Sequence, residues 1–100
     1  MPNRFEGKTA LITGAGTGIG AAAARRLASE GATVMLSGRR PEPLEAVAET
    51  TNGVVCVGDI ADPKQASDVV AQARREFGGL DIVVANAGGH GFGTISETSD

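Results

Sequence analysis

Tyrosine and tryptophan are missing from these 100 residues, and phenylalanine occurs only three times. No tyrosine phenol can therefore serve as an acid or base within the chain. Cysteine occurs once, which rules out an internal disulfide, and Cys56 lies in the apolar stretch Val54, Val55, Cys56, Val57, where it reads as a small core hydrophobe and not as a reactive thiol. No apolar run approaches the ~20 residues needed to span a bilayer. Met1 to Lys8 lacks the charged-then-apolar pattern of a signal peptide, so the cytosol is the expected location. Basic excess is missing too: a net charge of −3 and a pI near 5.0 argue against a general affinity for nucleic acid or anionic membrane, which needs a basic surface to displace counterions. No metal-ligating set is assigned.

What is present is an ordinary globular balance, 41% hydrophobic and 21% charged, in a chain the length of one small domain. A domain this small hides a lesser share of its surface than a larger one, so its stability in isolation is not guaranteed by size.

Four short runs rich in Val, Ile and Leu have the length of strands: Thr9 to Thr13, Thr33 to Ser37, Val54 to Val57, and Leu80 to Ala85. The last three lack strict alternation, as expected for strands buried on both faces of a parallel sheet. Helical signals fill the gaps. Ile19 to Glu30 is Ala-rich and meets Gly31, which suits a left-handed helix stop. Pro41 to Thr51 carries the stripe Leu44, Val47, Ala48, with Pro43 tolerable in the first turn. Asp62 followed by Pro63 and Gln65 reads as a cap, a first-turn proline and a near capping box; Ala66, Val69, Val70, Ala73 and Phe77 then share one face, and Gly78 and Gly79 end it. Strand and helix alternate throughout, which predicts a doubly wound parallel sheet of the Rossmann type with strand order 3-2-1-4. Gly88 to Gly93 reads as a flexible glycine-rich loop, and Thr98 to Asp100 as the start of another helix.

Where the first strand ends stand Thr13, Gly14, Ala15, Gly16, Thr17, Gly18, Ile19 and Gly20. Small residues there let the backbone turn sharply and approach a pyrophosphate, with free amides and the positive helix end facing its charge. Counting excludes two common phosphate binders. A Walker loop needs a lysine that does not occur between Lys8 and Lys64, and GxGxxG would require glycine or alanine at Ile19. The spacing that fits is TGxxxGxG.

That segment resembles the signature of the short-chain dehydrogenases/reductases. Gly58, Asp59, Ile60 resembles the family's acidic residue after the third strand, and Ala85, Asn86, Ala87, Gly88 resembles its NNAG motif, with Ala85 in place of the first Asn. The resemblance runs from about Phe5 to the last residue. It implies that Gly14, Gly16, Thr17, Gly18, Ile19 and Gly20 surround the pyrophosphate and adjacent ribose of a nicotinamide dinucleotide. It also implies that Asp59 accepts a hydrogen bond from the adenine amino group with Ile60 nearby, and that Asn86, Ala87 and Gly88 line the riboses, Asn86 also tying the fourth strand to its neighbours. Thr13 is expected to satisfy backbone groups in the turn.

The second strand runs into Gly38, Arg39 and Arg40, where an NAD site usually carries an acid for the ribose hydroxyls. Arginine suits the 2′-phosphate of NADP, so NADP(H) is favoured over NAD(H), with Arg39 the first candidate and Arg40 the second.

The resemblance further implies hydride transfer to or from a small alcohol or carbonyl substrate, using a tyrosine, lysine, serine and asparagine that fall later than Asp100. No catalytic residue is therefore assigned, and the chain is expected to be one incomplete dinucleotide-binding Rossmann domain, residues 1–100, of a longer enzyme that forms homo-oligomers. The resemblance implies that the loop carrying His90 borders the substrate pocket, and Phe92 either shapes that pocket or packs under the loop. The rival reading is a non-catalytic dinucleotide-binding or sensing module; a methyltransferase is disfavoured by the glycine spacing and by the lack of an acid after the second strand. In the family's sheet the fourth strand is interior, so Leu80 to Ala85 is expected to become a largely apolar edge here, with poor solubility or marginal folding as the consequence.

Overall fold

The computed structural model describes residues 4–16, 18–86 and 93–97, the side chains of residues 86 and 93–97 excepted. Strands β1 (Thr9–Thr13), β2 (Thr33–Gly38), β3 (Val54–Val57) and β4 (Ile82–Asn86) alternate with helices α1 (Gly18–Ser29), α2 (Pro41–Thr51) and α3 (Pro63–Phe77), and a further strand, β5 (Gly93–Glu97), follows. The sheet order is β3-β2-β1-β4-β5. The first four strands are parallel and arranged as expected, in register pairs such as Leu11 with Met35 and Ile12 with Val84. The chain folds as a doubly wound α/β sheet of the Rossmann kind.

The two faces follow from alternation along the strands. Ala10, Ile12, Val34, Leu36, Ile82 and Val84 point to one face and pack with α1 and α2 residues such as Ala24, Leu44 and Val47. Leu11 and Met35 point to the other and pack with Val69 and Ala73 of α3 and with Leu80. A fully buried aliphatic side chain contributes about 1.5–3 kcal/mol, so these two layers carry most of the driving force. The crossing from one face to the other comes with α3, which joins β3 to β4 past the two strands between them.

Helix ends obey local chemistry. Asp62 caps α3, its Oδ1 accepting from the Lys64 amide at 3.0 Å ahead of Pro63, and Gly78 ends the helix in the left-handed region at φ 77°. The α2 stop is made by Asn52 at φ 60°, with its amide on the Ala48 carbonyl.

Three expectations change. The fourth strand is not an edge, because β5 pairs antiparallel with it from Asn86 opposite Gly93 to Ile82 opposite Glu97. Strand pairing satisfies a row of backbone groups that an edge would leave open, and the chain gains this by doubling back. Gly93, expected in the glycine-rich loop, opens that strand. Residues 88–92 of the loop and the helix start at Thr98 to Asp100 lie outside the described residues. Cys56 is half-buried and not fully enclosed, since β3 has no strand on its outer side among the described residues. It nonetheless packs against the α3 layer, and burial, with Glu76 adding to it, pushes its thiol pKa up, as an unreactive thiol requires.

At the opposite end of the sheet, the arm before β1 is laced to the end of α1. The Phe5 amide donates to the Glu30 carbonyl at 2.8 Å, and the Thr33 amide donates to the Lys8 carbonyl at 3.0 Å. The Glu30 side chain is buried, hydrogen-bonded by Arg26 one helical turn earlier, with Arg4 Nε 3.7 Å from its other oxygen. The Arg26 hydrogen bond outweighs desolvation and holds the Glu30 carboxyl below its ordinary pKa. A carboxylate depressed on folding stabilises above its unfolded pKa and loses that contribution as pH falls through the folded value. Glu30→Gln should therefore melt at a lower temperature than the parent near pH 7, with the gap closing as the pH drops below about 4. Thermal melts of both proteins across that range check this, and a gap independent of pH would contradict it.

Candidate functional site

Parallel strands all end at the same edge of a sheet, so the segments after β1, β2, β3 and β4 converge there. Three hydrogen bonds lace these ends together. The Ala15 amide donates to the Ser37 carbonyl at 3.0 Å, joining the glycine turn to β2; the Gly58 amide donates to the Gly38 carbonyl at 2.8 Å, joining the β3 end to β2. The buried Thr13 hydroxyl donates to the Val84 carbonyl at 3.3 Å, joining β1 to β4. Thr13 thus serves the sheet in addition to its place in the turn.

The turn itself needs its small residues for separate reasons. Gly14 stands at φ 63°, the left-handed region that side chains disfavour. At Gly20 a Cβ would lie 2.2 Å from the Gly14 carbonyl oxygen, so the first turn of α1 is pressed directly on the end of β1. At Gly18 a Cβ would meet nothing within 4 Å among the described residues. Open space thus lies against the start of a twelve-residue helix, whose first amides have no partner inside the helix and whose dipole is positive at this end. Gly16 backs onto α2, where a Cβ would come within 2.7 Å of Pro43 Cβ. Ile19 is exposed beside this cradle. Thr17 lies outside the described residues.

On the β2 side, Arg39 and Arg40 are exposed, and neither guanidinium has an ion-pair partner among the described residues. Arg40 is the cap residue of α2 but makes no side-chain cap bond. Pro41 and Pro43 remove two of the amides that a helix start would otherwise offer, so positive charge here comes from the arginine side chains.

On the β3 side, Asp59 is half-buried and Ile60 is exposed. Asp59 Oδ1 accepts from the Ala61 amide at 3.0 Å, which shapes the loop into an Asx turn. The Asp59 amide donates to Gln65 Oε1 at 2.7 Å, a contact that the residue pattern did not reveal. Asn86 ends β4 opposite Gly93; Ala87, Gly88, His90 and Phe92 lie outside the described residues. The glycine turn, Arg39, Asp59 and the β4 terminus therefore share one edge, at the place where the order reverses on either side of β1, the usual seat of ligands in open α/β sheets. Pro43 behind Gly16 and Gln65 behind Asp59 were missed. Each stands a few residues into the helix after its strand, and only the Gln three positions beyond Asp62 carried a sequence signal. A second hollow of about 560 Å³, lined by Phe5, Leu27, Ile82 and Val84, lies on the α1 face of β4 and away from this edge.

Comparison with known proteins places this geometry in context. The family model for short chain dehydrogenases matches residues 8–100. Glucose 1-dehydrogenase of Gluconobacter oxydans is 44% identical over 92 residues, covering 86% of this chain and 35% of the relative. Versicolorin reductase 1 of Aspergillus parasiticus is 39% identical, covering 97% of this chain and 39% of the relative. Among solved structures, a short chain dehydrogenase from Burkholderia cenocepacia in complex with NADP superposes with a TM-score of 0.82 at 41% identity, over 86% of this chain and 38% of that one. A hydroxysteroid dehydrogenase from Escherichia coli gives 0.83 at 35% identity, over 86% and 38%. The chain spans less than two-fifths of the length of each of these proteins.

The two glycines of the turn separate fold from binding. Gly20→Ala should destabilise the protein by about 1–3 kcal/mol or more, because backbone and not a flexible side chain must give way. Gly18→Ala should stay within ~1 kcal/mol of the parent, since alanine is the better helix former and meets no neighbour. Denaturant melts of the two variants check the contrast, and equal stabilities would refute it.

Proposed function

Because this chain belongs to the short-chain dehydrogenase family, we propose that it supplies the dinucleotide-binding half of an NADP(H)-dependent oxidoreductase acting on a small alcohol or carbonyl substrate. The observation that carries this reading is the open space among the described residues at Gly18, beside a first turn of α1 whose amides point out of the helix, held in place by the contact between Gly20 and Gly14. A pyrophosphate fits such a cradle by charge, by amide supply and by room. The bound dinucleotide would supply the hydride acceptor or donor.

In this reading Gly14, Gly16, Thr17, Gly18, Ile19 and Gly20 hold the pyrophosphate and its ribose. Asp59 keeps one carboxylate oxygen for the adenine amino group, and the Ile60 backbone lies alongside. Asn86, Ala87 and Gly88 border the riboses where β4 ends. None of these residues moves the reacting proton; acid/base and substrate-orienting groups are assigned to the remaining length of the enzyme, and His90 and Phe92 to the border of the substrate pocket. No helix among the described residues is long and apolar enough to cross a membrane. Family resemblance supports a homo-oligomer.

The choice of NADP rests on Arg39. Its exposed guanidinium, without an ion-pair partner among the described residues, stands just past β2 where a 2′-phosphate would lie beside the adenosine ribose, with Arg40 adjoining. A charge-assisted contact of this kind favours a 2′-phosphate over the bare ribose hydroxyls of NAD. The NADP bound by the Burkholderia cenocepacia relative is in keeping with it.

Titration of the whole protein with NADPH and NADH, followed by turnover with a panel of alcohols and carbonyls, tests the reading. Arg39→Ala should weaken NADP binding by about tenfold or more while leaving NAD binding within about twofold, as loss of a charge-assisted contact implies. Equal losses would refute the NADP assignment, and absence of binding to either dinucleotide in the parent would refute the function.

A further inference from the structure

We propose that Gln65 is a positioning residue for Asp59, and that it controls how strongly the protein distinguishes adenine from a base lacking the 6-amino group. The proposal rests on the reading of Asp59 as the adenine acceptor.

The loop from Gly58 to Asp62 must place a carboxylate at a set height above the sheet, yet it leaves a strand without an outer neighbour among the described residues. At its start the Gly58 amide is tied to Gly38, and within it the Asp62 amide donates to the Asp59 carbonyl at 3.0 Å. The amide of Asp59 has its partner in Gln65 Oε1, at 2.7 Å, and Gln65 Nε2 donates to Asp62 Oδ2 at 3.1 Å. Asp62 Oδ1 meanwhile accepts from the Lys64 amide and caps α3. An ordinary capping box would turn Gln65 back onto the amide of Asp62. That amide is already taken by the Asp59 carbonyl, so Gln65 reaches three residues further and grips the loop.

The orientation of the Gln65 amide follows from its neighbours. Reversing it would set an NH₂ against an N–H and an oxygen against a carboxylate, two repulsive contacts in place of two hydrogen bonds. The clamp also stands on a firm base. Helix α3 is anchored by buried Val69 and Ala73 against the sheet, and Gln65 lies one turn before Val69 on the same helix. Gln65 therefore transmits the position of a packed helix to the residue whose carboxylate faces the ligand.

The carboxylate itself is half committed. Oδ1 takes the Ala61 amide, and among the described residues Oδ2 accepts no hydrogen bond. A loop fixed at the Asp59 amide presents that one oxygen in one place, whereas a loop released there lets the carboxylate swing with the exposed Ile60 and Ala61. A neutral amide achieves this without adding charge beside the ligand, which a lysine or glutamate at the same place would do.

The test compares dissociation constants for NADP and for nicotinamide hypoxanthine dinucleotide phosphate, in which a keto oxygen replaces the 6-amino group, by calorimetry on the whole protein. The parent should prefer NADP by about tenfold, the scale of one hydrogen bond to a charged acceptor. Gln65→Ala and Gln65→Met, the second keeping the side-chain bulk, should reduce that preference to about twofold or less while binding the hypoxanthine analogue within about threefold of the parent. Variants that keep the parent's preference, or that weaken both dinucleotides by one common factor, overturn the proposal. A parent that binds NADP without preferring it to the analogue instead removes the assignment of Asp59, and the role of Gln65 with it.

Discussion

The carbonyl oxygen of Gly14 and the backbone of Gly20 approach so closely that a single methyl group would be driven to 2.2 Å from the oxygen. This contact decides where α1 begins relative to β1, and much of the remaining arrangement is a consequence of it. With its first turn pressed on the strand end, the helix runs back along the sheet, and Ala21 and Ala24 come to lie buried over Ala10 and Ile12. Small side chains on the helix permit the short separation, which larger ones would force open. The same closeness directs the helix amides and the positive end of its dipole at the space in front of Gly18. Packing and ligand chemistry are thus set by one approach of backbone to backbone.

The other strand ends are tied to that turn by hydrogen bonds. Ala15 to Ser37, Gly58 to Gly38 and Thr13 to Val84 cross between neighbouring segments at the carboxyl edge of the sheet. They place Arg39 on one flank of the turn and Asp59 beyond it, each within the same rigid frame. Below the edge, two aliphatic layers hold α1 and α2 to one face and α3 to the other. The far end of the sheet is closed by a different device, the ion pairs of buried Glu30 with Arg26 and Arg4, which tie the arm before β1 to the end of α1.

Several of these features were legible in the residues. The runs at Thr9, Thr33 and Val54 begin where the strands begin, and the alternation of short aliphatic runs with amphipathic stretches led to the parallel order of four strands. Asp62 with Pro63 marked the start of α3, and Gly78 its stop. Glycine spacing located the cradle, because only a few residue types tolerate a left-handed φ or a contact as close as that at Gly20. Other features left no such mark. Gly93 to Glu97 pairs with β4 because open backbone groups there attract any extended segment within reach, and its sequence carries little alternation of its own. Gln65 was read as part of a helix cap, and its grip on Asp59 depends on the Asp62 amide being occupied already. Cys56 lies in an apolar run, yet its exposure is decided by its strand having no outer neighbour among the described residues.

The residues alone determined which segments become strands and helices, where the chain must turn sharply, and which charged side chains stand at the strand ends, since these depend on local sterics and on periodicity over a few positions. Tertiary structure decided which amides and carboxylate oxygens are already satisfied, how closely α1 meets β1, and what covers β4. Those depend on partners brought together from tens of residues apart, and a hydrogen bond already taken by one neighbour is withdrawn from every other. Around Asp59 that exclusion turns an ordinary cap residue into the clamp that positions a carboxylate.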